Sequence, residues 1–341
     1  MRRGTVGSWL LLLGLLCVSL LLSAWIGSVH VPIKDMAFGL LRRLRLISWP
    51  ETPLATLFLD LRLPRVLLGA LCGASLSLSG GVMQGVFRNP LADPYILGQA
   101  SGATLGAALC ALFGPPGSFW LLPLCAFCGA FLFTLVLLVI SEMSAQLYFD
   151  QSALILVGVA LGSLGSALTG IALYASQTDQ ANSLVYWLFG SLALGQWPQI
   201  ALFSACALPM VILLVQQSHA LDLLSLGDTM AAHLGVSVVP LKRRLLLFSS
   251  VLTALVVAFC GTIGFVGLVV PHMVRKWMGP RHNRLLPSSC LLGAAFLPLC
   301  DTVSRSLLAP LELPVGIVTA LIGVPFFLSL LLRRLRKVKA C

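Results

Sequence analysis

The chain has 341 residues, 58% of them hydrophobic and only 10% charged, with a mean hydropathy of +1.00 and a formal net charge of +11. A soluble domain is about a quarter charged, so this composition cannot cover a water-exposed globule, and lipid must be the solvent for most of the chain. The positive charge does not indicate a nucleic-acid partner, because the basic residues sit between apolar runs rather than in a stripe with aromatics on a soluble module.

Runs of apolar residues long enough to cross a bilayer recur ten times, near 9–29, 64–87, 92–113, 119–140, 151–174, 196–216, 244–261, 263–279, 286–304 and 314–332. The first follows Arg2 and Arg3 and stays apolar without an A-x-A site, which reads as an uncleaved anchor rather than a secretion signal. With ten spans and the N-terminus inside, 15 of the 22 Lys and Arg residues fall on the cytoplasmic side. The other seven are Lys34, Arg42, Arg43, Arg45, Arg62, Arg65 and Arg305. Six of them crowd into one external loop, an excess that wants a reason.

"RLPR" (62–65) sets two arginines around Pro64, as in the first turn of the second helix. These two and Arg305 read either as interfacial snorkelling or as a docking patch for an acidic protein. Next comes "MQGVFRNPLADPYILG" (83–98), which concentrates Arg88, Asn89, Pro90, Asp93 and Pro94 between two apolar runs. The prolines end one helix and start the next, Asp93 can cap the new one, and the segment reads as a tight cytoplasmic hairpin. Cys125 and Cys128 form a CxxC with no His or acid nearby, so no metal site is expected.

The loop 218–244 is the largest cytoplasmic connection. Asp228 is placed to cap a short helix, Thr229 to Leu234, with Gly235 ending it. Leu226, Met230 and Leu234 recur at helical spacing and would form an apolar stripe, lying either on the membrane surface or in a partner's groove. "GTIGFVGL" lacks the Gly-Lys-Ser/Thr of a phosphate cradle, so ATP, if used, binds another chain. The segments 79–90 and 260–271 echo one another, each running from small residues and glycine to a proline, as inverted repeats do. Few ionisable groups lie at mid-span and there is no HExxH, which argues against a proton-coupled carrier or a membrane enzyme.

Residues 62–107, 226–235, 261–287 and 297–332 resemble the FecCD-type permeases of bacterial ABC importers, which carry iron–siderophore complexes, haem or cobalamin. The resemblance covers essentially the whole chain. It implies an all-α polytopic membrane protein with about ten transmembrane helices, the type II ABC importer permease fold with inverted-repeat character. One permease domain would span 1–341, with a coupling segment at about 218–241. It further implies a homodimer in the cytoplasmic (inner) membrane with both termini inside, two ATP-binding cassette subunits below and a periplasmic substrate-binding protein above. Arg62, Arg65 and Arg305 would dock that protein, and Leu226, Gly227, Asp228, Met230, Ala231, Leu234 and Gly235 would seat in the ATPase. Gln84, Arg88, Asn89, Pro90 and Ser101 would border the translocation pathway, with Asn182 and Ser183 in an external gate at 181–192. The chain would bind no cofactor, ATP and Mg being held by the partner. The expected cargo is an iron(III)–siderophore, with haem or cobalamin as the alternative and an ion-coupled secondary transporter as a remote one.

Overall fold

In the computed structural model the described residues are 3–27, 29–48, 50, 52–115, 120–143, 151–176 and 184–339. Among them every regular element is helical. Each expected run becomes one helix of a bundle: α1 (Arg3–Trp25), α3 (Pro53–Val86), α4 (Gln99–Phe113), α5 (Leu121–Met143), α6 (Gln151–Ala175), α7 (Trp197–Gln216), α10 (Val238–Cys260), α11 (Val266–Met278), α12 (His282–Ser306) and α13 (Val315–Lys339). Three shorter helices lie outside these runs: α2 (Ile33–Arg43), α8 (Ser218–Leu224) and α9 (Asp228–His233).

Seven of the ten are long and apolar enough to cross a membrane unaided, whereas α4 and α13 have shorter apolar stretches and α11 has 13 residues. The two shortest share a cause. A 3-10 turn, Pro94–Leu97, and a left-handed Gly98 precede α4, and irregular backbone at 261–265 precedes α11. Irregular backbone inside a membrane bundle persists only where protein buries it and supplies hydrogen-bond partners. The hairpin expected at 87–98 is present, and Asp93 caps as expected, its carboxylate accepting from Tyr95 N at 2.9 Å.

Two local expectations are corrected. Pro64 does not open a helix, because α3 is continuous from Pro53. Since Pro64 has no N–H to offer Asp60, the chain inserts a π-turn at Phe58–Arg62, in which Leu63 N reaches back to Phe58 O. Asp228 is not the cap of α9 either. Gly227 occupies that position, and Asp228 is the first helical residue, its side chain engaged elsewhere.

The core is formed by α3, flanked by α12, α11 and α10. Small residues let these backbones approach closely. A Cβ at Gly80 would overlap the Gly267 carbonyl, and one at Gly73 the Gly293 carbonyl. The two echoing segments therefore pack against each other. Because the obstructing atom at Gly80 is backbone and cannot rotate away, Gly80→Ala is expected to cost about 1–3 kcal/mol. Gly170→Ala, where a Cβ meets open space, should leave the midpoint unchanged. Denaturation midpoints in detergent would show the contrast, and equal midpoints would remove close packing as the reason for Gly80.

Candidate functional site

Three constellations stand along the bundle. At one end, Asp228 accepts from two cations, one on a helix and one on a hairpin. Its Oδ2 lies 2.5 Å from Lys242 Nζ at the start of α10, and its Oδ1 lies 3.2 Å from Arg88 Nη2 at the 87–93 hairpin. Lys242 is 2% exposed and has little other access to water, while Asp228 is 40% exposed. Arg88 itself sits at φ +46°, an uncommon conformation for a residue with a side chain. Asn89 stabilises the turn by accepting from Leu91 N at 3.0 Å, with Pro90 between them.

The helix that carries Asp228 buries Ala231 and turns Leu226, Met230 and Leu234 outward, at 62%, 52% and 53% exposure. The expected apolar stripe is real. Gly235, at φ +85°, ends the segment in the left-handed region that glycine enters without steric cost. Next to it, Asp222 of α8 accepts from His282 N at 2.8 Å and contacts its ring Nδ1 at 2.7 Å, tying the segment to α12.

The middle constellation is the break at 261–265. Gly261 (φ +69°) and Phe265 (φ +68°) bracket it. It is hydrogen-bonded to a second irregular segment, 189–196, and the turn before it: Ser191 N donates to Cys260 O at 2.8 Å, and the Thr262 side-chain hydroxyl donates to Leu188 O. That second segment also receives Val315 N on Gly190 O at 3.1 Å and Gly316 N on Phe189 O at 3.2 Å. Tyr95 reaches the same break, its hydroxyl 3.3 Å from both Ile263 O and Ile263 N. Breaks in three helical runs therefore meet. Residues 184–188 are helical, whereas the candidate gate residues Asn182 and Ser183 lie outside the described residues.

At the opposite end the three candidate docking arginines converge, but inward. Arg62, 5% exposed, donates to the carbonyls of Trp25 at 3.2 Å and Val29 at 2.5 Å, satisfying groups left open where α1 ends. Arg65 grips Asp301 with Nε and Nη2 at 2.8–3.2 Å and reaches Glu312 with Nη1 at 2.8 Å. Arg305, one turn beyond Asp301, places Nε 3.5 Å from the same carboxylate and donates to Ser23 O. Asp301 is 2% exposed, so this is a buried charge network, not an open basic patch. Asp301, an acid near the end of a span, and Glu312 were not paired with these arginines in the sequence, although the i, i+4 spacing of Asp301 and Arg305 on one helix was a usable signal.

Two expected pathway residues make contacts between helices, and only the first is buried. Gln84 is 2% exposed and donates across the α3–α11 contact toward the carbonyls of Gly267 and Leu268, both at 3.4 Å. Ser101 faces α6, with its Oγ 3.4 Å from Ser166 Oγ. A hollow of about 660 Å³ opens near Tyr186, Trp187, Phe259 and Glu312, lined chiefly by apolar side chains with Gln199 and Ser191 among them. Among the described residues no group of three metal-ligating side chains comes together.

A polytopic helical bundle with interrupted helices at its centre and an apolar stripe on a short helix at one end has the architecture of a membrane transport subunit. The FecCD transport family matches residues 15–333, and the chain belongs to that family. It is 40% identical, over 95% of its own length and 96% of the relative's, to the hemin transport system permease protein HmuU of Yersinia pestis. It is 42% identical to the vitamin B12 import system permease protein BtuC of Salmonella typhi, over 81% of this chain and 84% of that protein. A solved structure of a metal-chelate type ABC transporter in an inward-facing conformation superposes with a TM-score of 0.82 at 35% identity, covering 94% of this chain and 97% of that one. The protein is thus a multi-pass permease subunit of the ABC importer type, a transport component and not an enzyme.

Proposed function

We propose that two copies of this chain form the membrane pathway of an ATP-driven importer for a bulky metal chelate, working by alternating access in the bacterial cytoplasmic membrane. The observation that carries this reading is the outward stripe of Leu226, Met230 and Leu234 on α9 and the residues flanking it. Three large apolar side chains held in solvent on a helix anchored by Asp228 and Ala231 suit a groove on a partner, here a pair of ATP-binding cassette subunits that hold ATP and Mg. Both termini would share that side. A substrate-binding protein would dock at the Arg65 end. There Glu312, partly exposed, can give way to an incoming carboxylate, while Arg62 and Arg305 hold the surface from beneath. The turn Arg88–Asn89–Pro90 stands at the inner mouth, Gln84 and Ser101 brace the helices beside the pathway, and Asn182 and Ser183 adjoin the outer gate.

For the cargo, an iron(III)–siderophore and haem are supported alike at the level of the class. The hemin permease of Yersinia pestis matches nearly the full chain, which gives haem a specific relative; the BtuC match does the same for cobalamin over a shorter span. The test is uptake into proteoliposomes holding this chain with its candidate ATPase and binding protein. Labelled ferric siderophore, haem and cobalamin would be offered in parallel, with and without ATP. ATP-dependent uptake of one chelate is expected. Uptake without the ATPase would replace the reading with a secondary carrier. In the same system the triple variant Leu226→Ser, Met230→Ser, Leu234→Ser should weaken ATPase assembly by about a hundredfold or more, since each buried side chain is worth roughly 1.5–3 kcal/mol. Unchanged assembly would remove α9 from the interface.

A further inference from the structure

With Arg62, Arg65 and Arg305 turned into the bundle, four basic residues remain on the long 26–60 connection: Lys34, Arg42, Arg43 and Arg45. Arg43 pairs with Asp60 at 2.7 Å and lies 5.5 Å from the Trp197 ring centroid. The side chains of Lys34, Arg42 and Arg45 are exposed.

They flank an unusual helix. On α2, Ile33, Ala37, Leu40 and Leu44 follow at intervals of four, three and four, which places them on one face. That face points outward, with Ile33 at 67% and Leu44 at 59% exposure, and Leu46 continues it beyond the helix. The opposite side is docked. Gly39 abuts Ala55 and Leu59, and Met36 packs with Val31, Phe58 and Leu59. Thr52 donates to Asp35 at 2.9 Å, so the helix is fixed in place with its apolar stripe turned away from its own bundle.

We propose that α2 and the turn after it lie in the headgroup layer at this end of the bundle and hold the phosphates of anionic phospholipids. The end of α1, a few residues earlier in the chain, likewise exposes apolar side chains, Trp25, Ile26 and Val29. In a membrane-spanning chain that surface meets lipid. A helix with an apolar face and cations beside it is built to lie in the interface plane, with its stripe at the acyl boundary and its cations at the phosphate level. Arg42 and Arg45 also share the rim of one open hollow with Ser48 and Pro50, which sets two guanidinium groups around a space an oxyanion can enter. A second copy of the chain fits poorly, since a two-fold contact through this face would set Arg42 and Arg45 against their own equivalents. An acidic protein would match the cations but would leave a stripe of four apolar residues to be explained. The proposal rests on the membrane-spanning fold alone and not on the cargo or on ATP.

Reconstitution of the full chain in nanodiscs of phosphatidylcholine, with and without phosphatidylglycerol, tests it by two readouts: native mass spectrometry of retained lipid and hydrogen exchange of residues 33–46. Retained phosphatidylglycerol and extra protection of α2 are expected only in the mixed discs. Lys34→Gln, Arg42→Gln and Arg45→Gln should each weaken retention about fivefold, the worth of one charge near an anionic surface. A stripe variant, Ile33→Ser with Leu44→Ser, should lose protection in both disc types. All five side chains are exposed, so thermal melting should match the parent protein. Equal retention and protection in the two lipids would overturn the proposal. So would protection that appears only when an acidic binding protein is added. Neither result touches the importer reading, which is measured by uptake.

Discussion

Replacing Asp301 with asparagine is expected to lower the unfolding free energy by about 3 kcal/mol, the largest stability effect of any single polar substitution at the Arg65 end. The carboxylate is 2% exposed and lies between two guanidinium groups, those of Arg65 and Arg305. Its removal leaves both cations in a site with little water to solvate them and with their mutual repulsion no longer offset. Asparagine keeps the shape and one acceptor, so the loss is chiefly that of charge. Glu312→Gln at the other side of Arg65 provides the contrast. Glu312 is partly solvated, and an ion pair in that setting is worth at most about 1 kcal/mol. Melting of both variants in detergent decides the matter. An Asp301→Asn midpoint equal to that of Glu312→Gln would show that the network adds nothing to the fold. If the double variant Asp301→Asn with Arg305→Leu regains stability, the unpaired cation is the cause.

Asp228→Asn is expected to reduce chelate uptake about tenfold to a hundredfold while leaving ATPase assembly and basal ATP hydrolysis in place, on the reading given under Proposed function. The carboxylate ties α9 by charged contacts to both the 87–93 hairpin and α10. Displacement of α9 by an ATPase would pull on Arg88 and Lys242 together. A coupling of this kind carries 1–3 kcal/mol in typical two-site systems, about 5- to 150-fold. On that reading the ATPase would seat on the apolar stripe, which this variant does not alter, so assembly separates a coupling defect from a binding defect. Asp228→Glu, which keeps the charge, should restore most of the uptake. Full uptake by Asp228→Asn would mean that force passes elsewhere, with the Asp222–His282 contact as the next joint to test. Loss of assembly together with uptake would place Asp228 in the interface itself.

Much of this protein is set by local pattern, and that part was legible in the residues. A 20-residue apolar run has few options in a bilayer, because its backbone must satisfy itself by forming a helix, so the ten runs and their order could be read without a structure. The turn at 87–93, the capping by Asp93 and the stripe on α9 follow from short-range rules, since proline, aspartate and glycine act on residues within one turn. The break at 261–265 falls at the boundary of two apolar runs, 244–261 and 263–279, that are nearly continuous in the sequence.

What the tertiary structure decided was where the charges point. Arg62 and Arg65 look like surface cations in sequence, because nothing local distinguishes an arginine facing water from one facing carbonyls 33–37 residues back or a carboxylate 236 residues away. Asp228 looked like a helix cap because the short-range rule for aspartate before a helix is strong. The fold outbid that rule with a buried lysine 14 residues on and an arginine 140 residues back. The partners of Gln84 and Ser101 across helix contacts likewise had no local signal. The difference is one of range. Hydrophobic periodicity and turn chemistry act along the chain, whereas the pairing of a buried charge depends on which helices pack side by side, and that is settled only when Gly80 meets Gly267 and Gly73 meets Gly293.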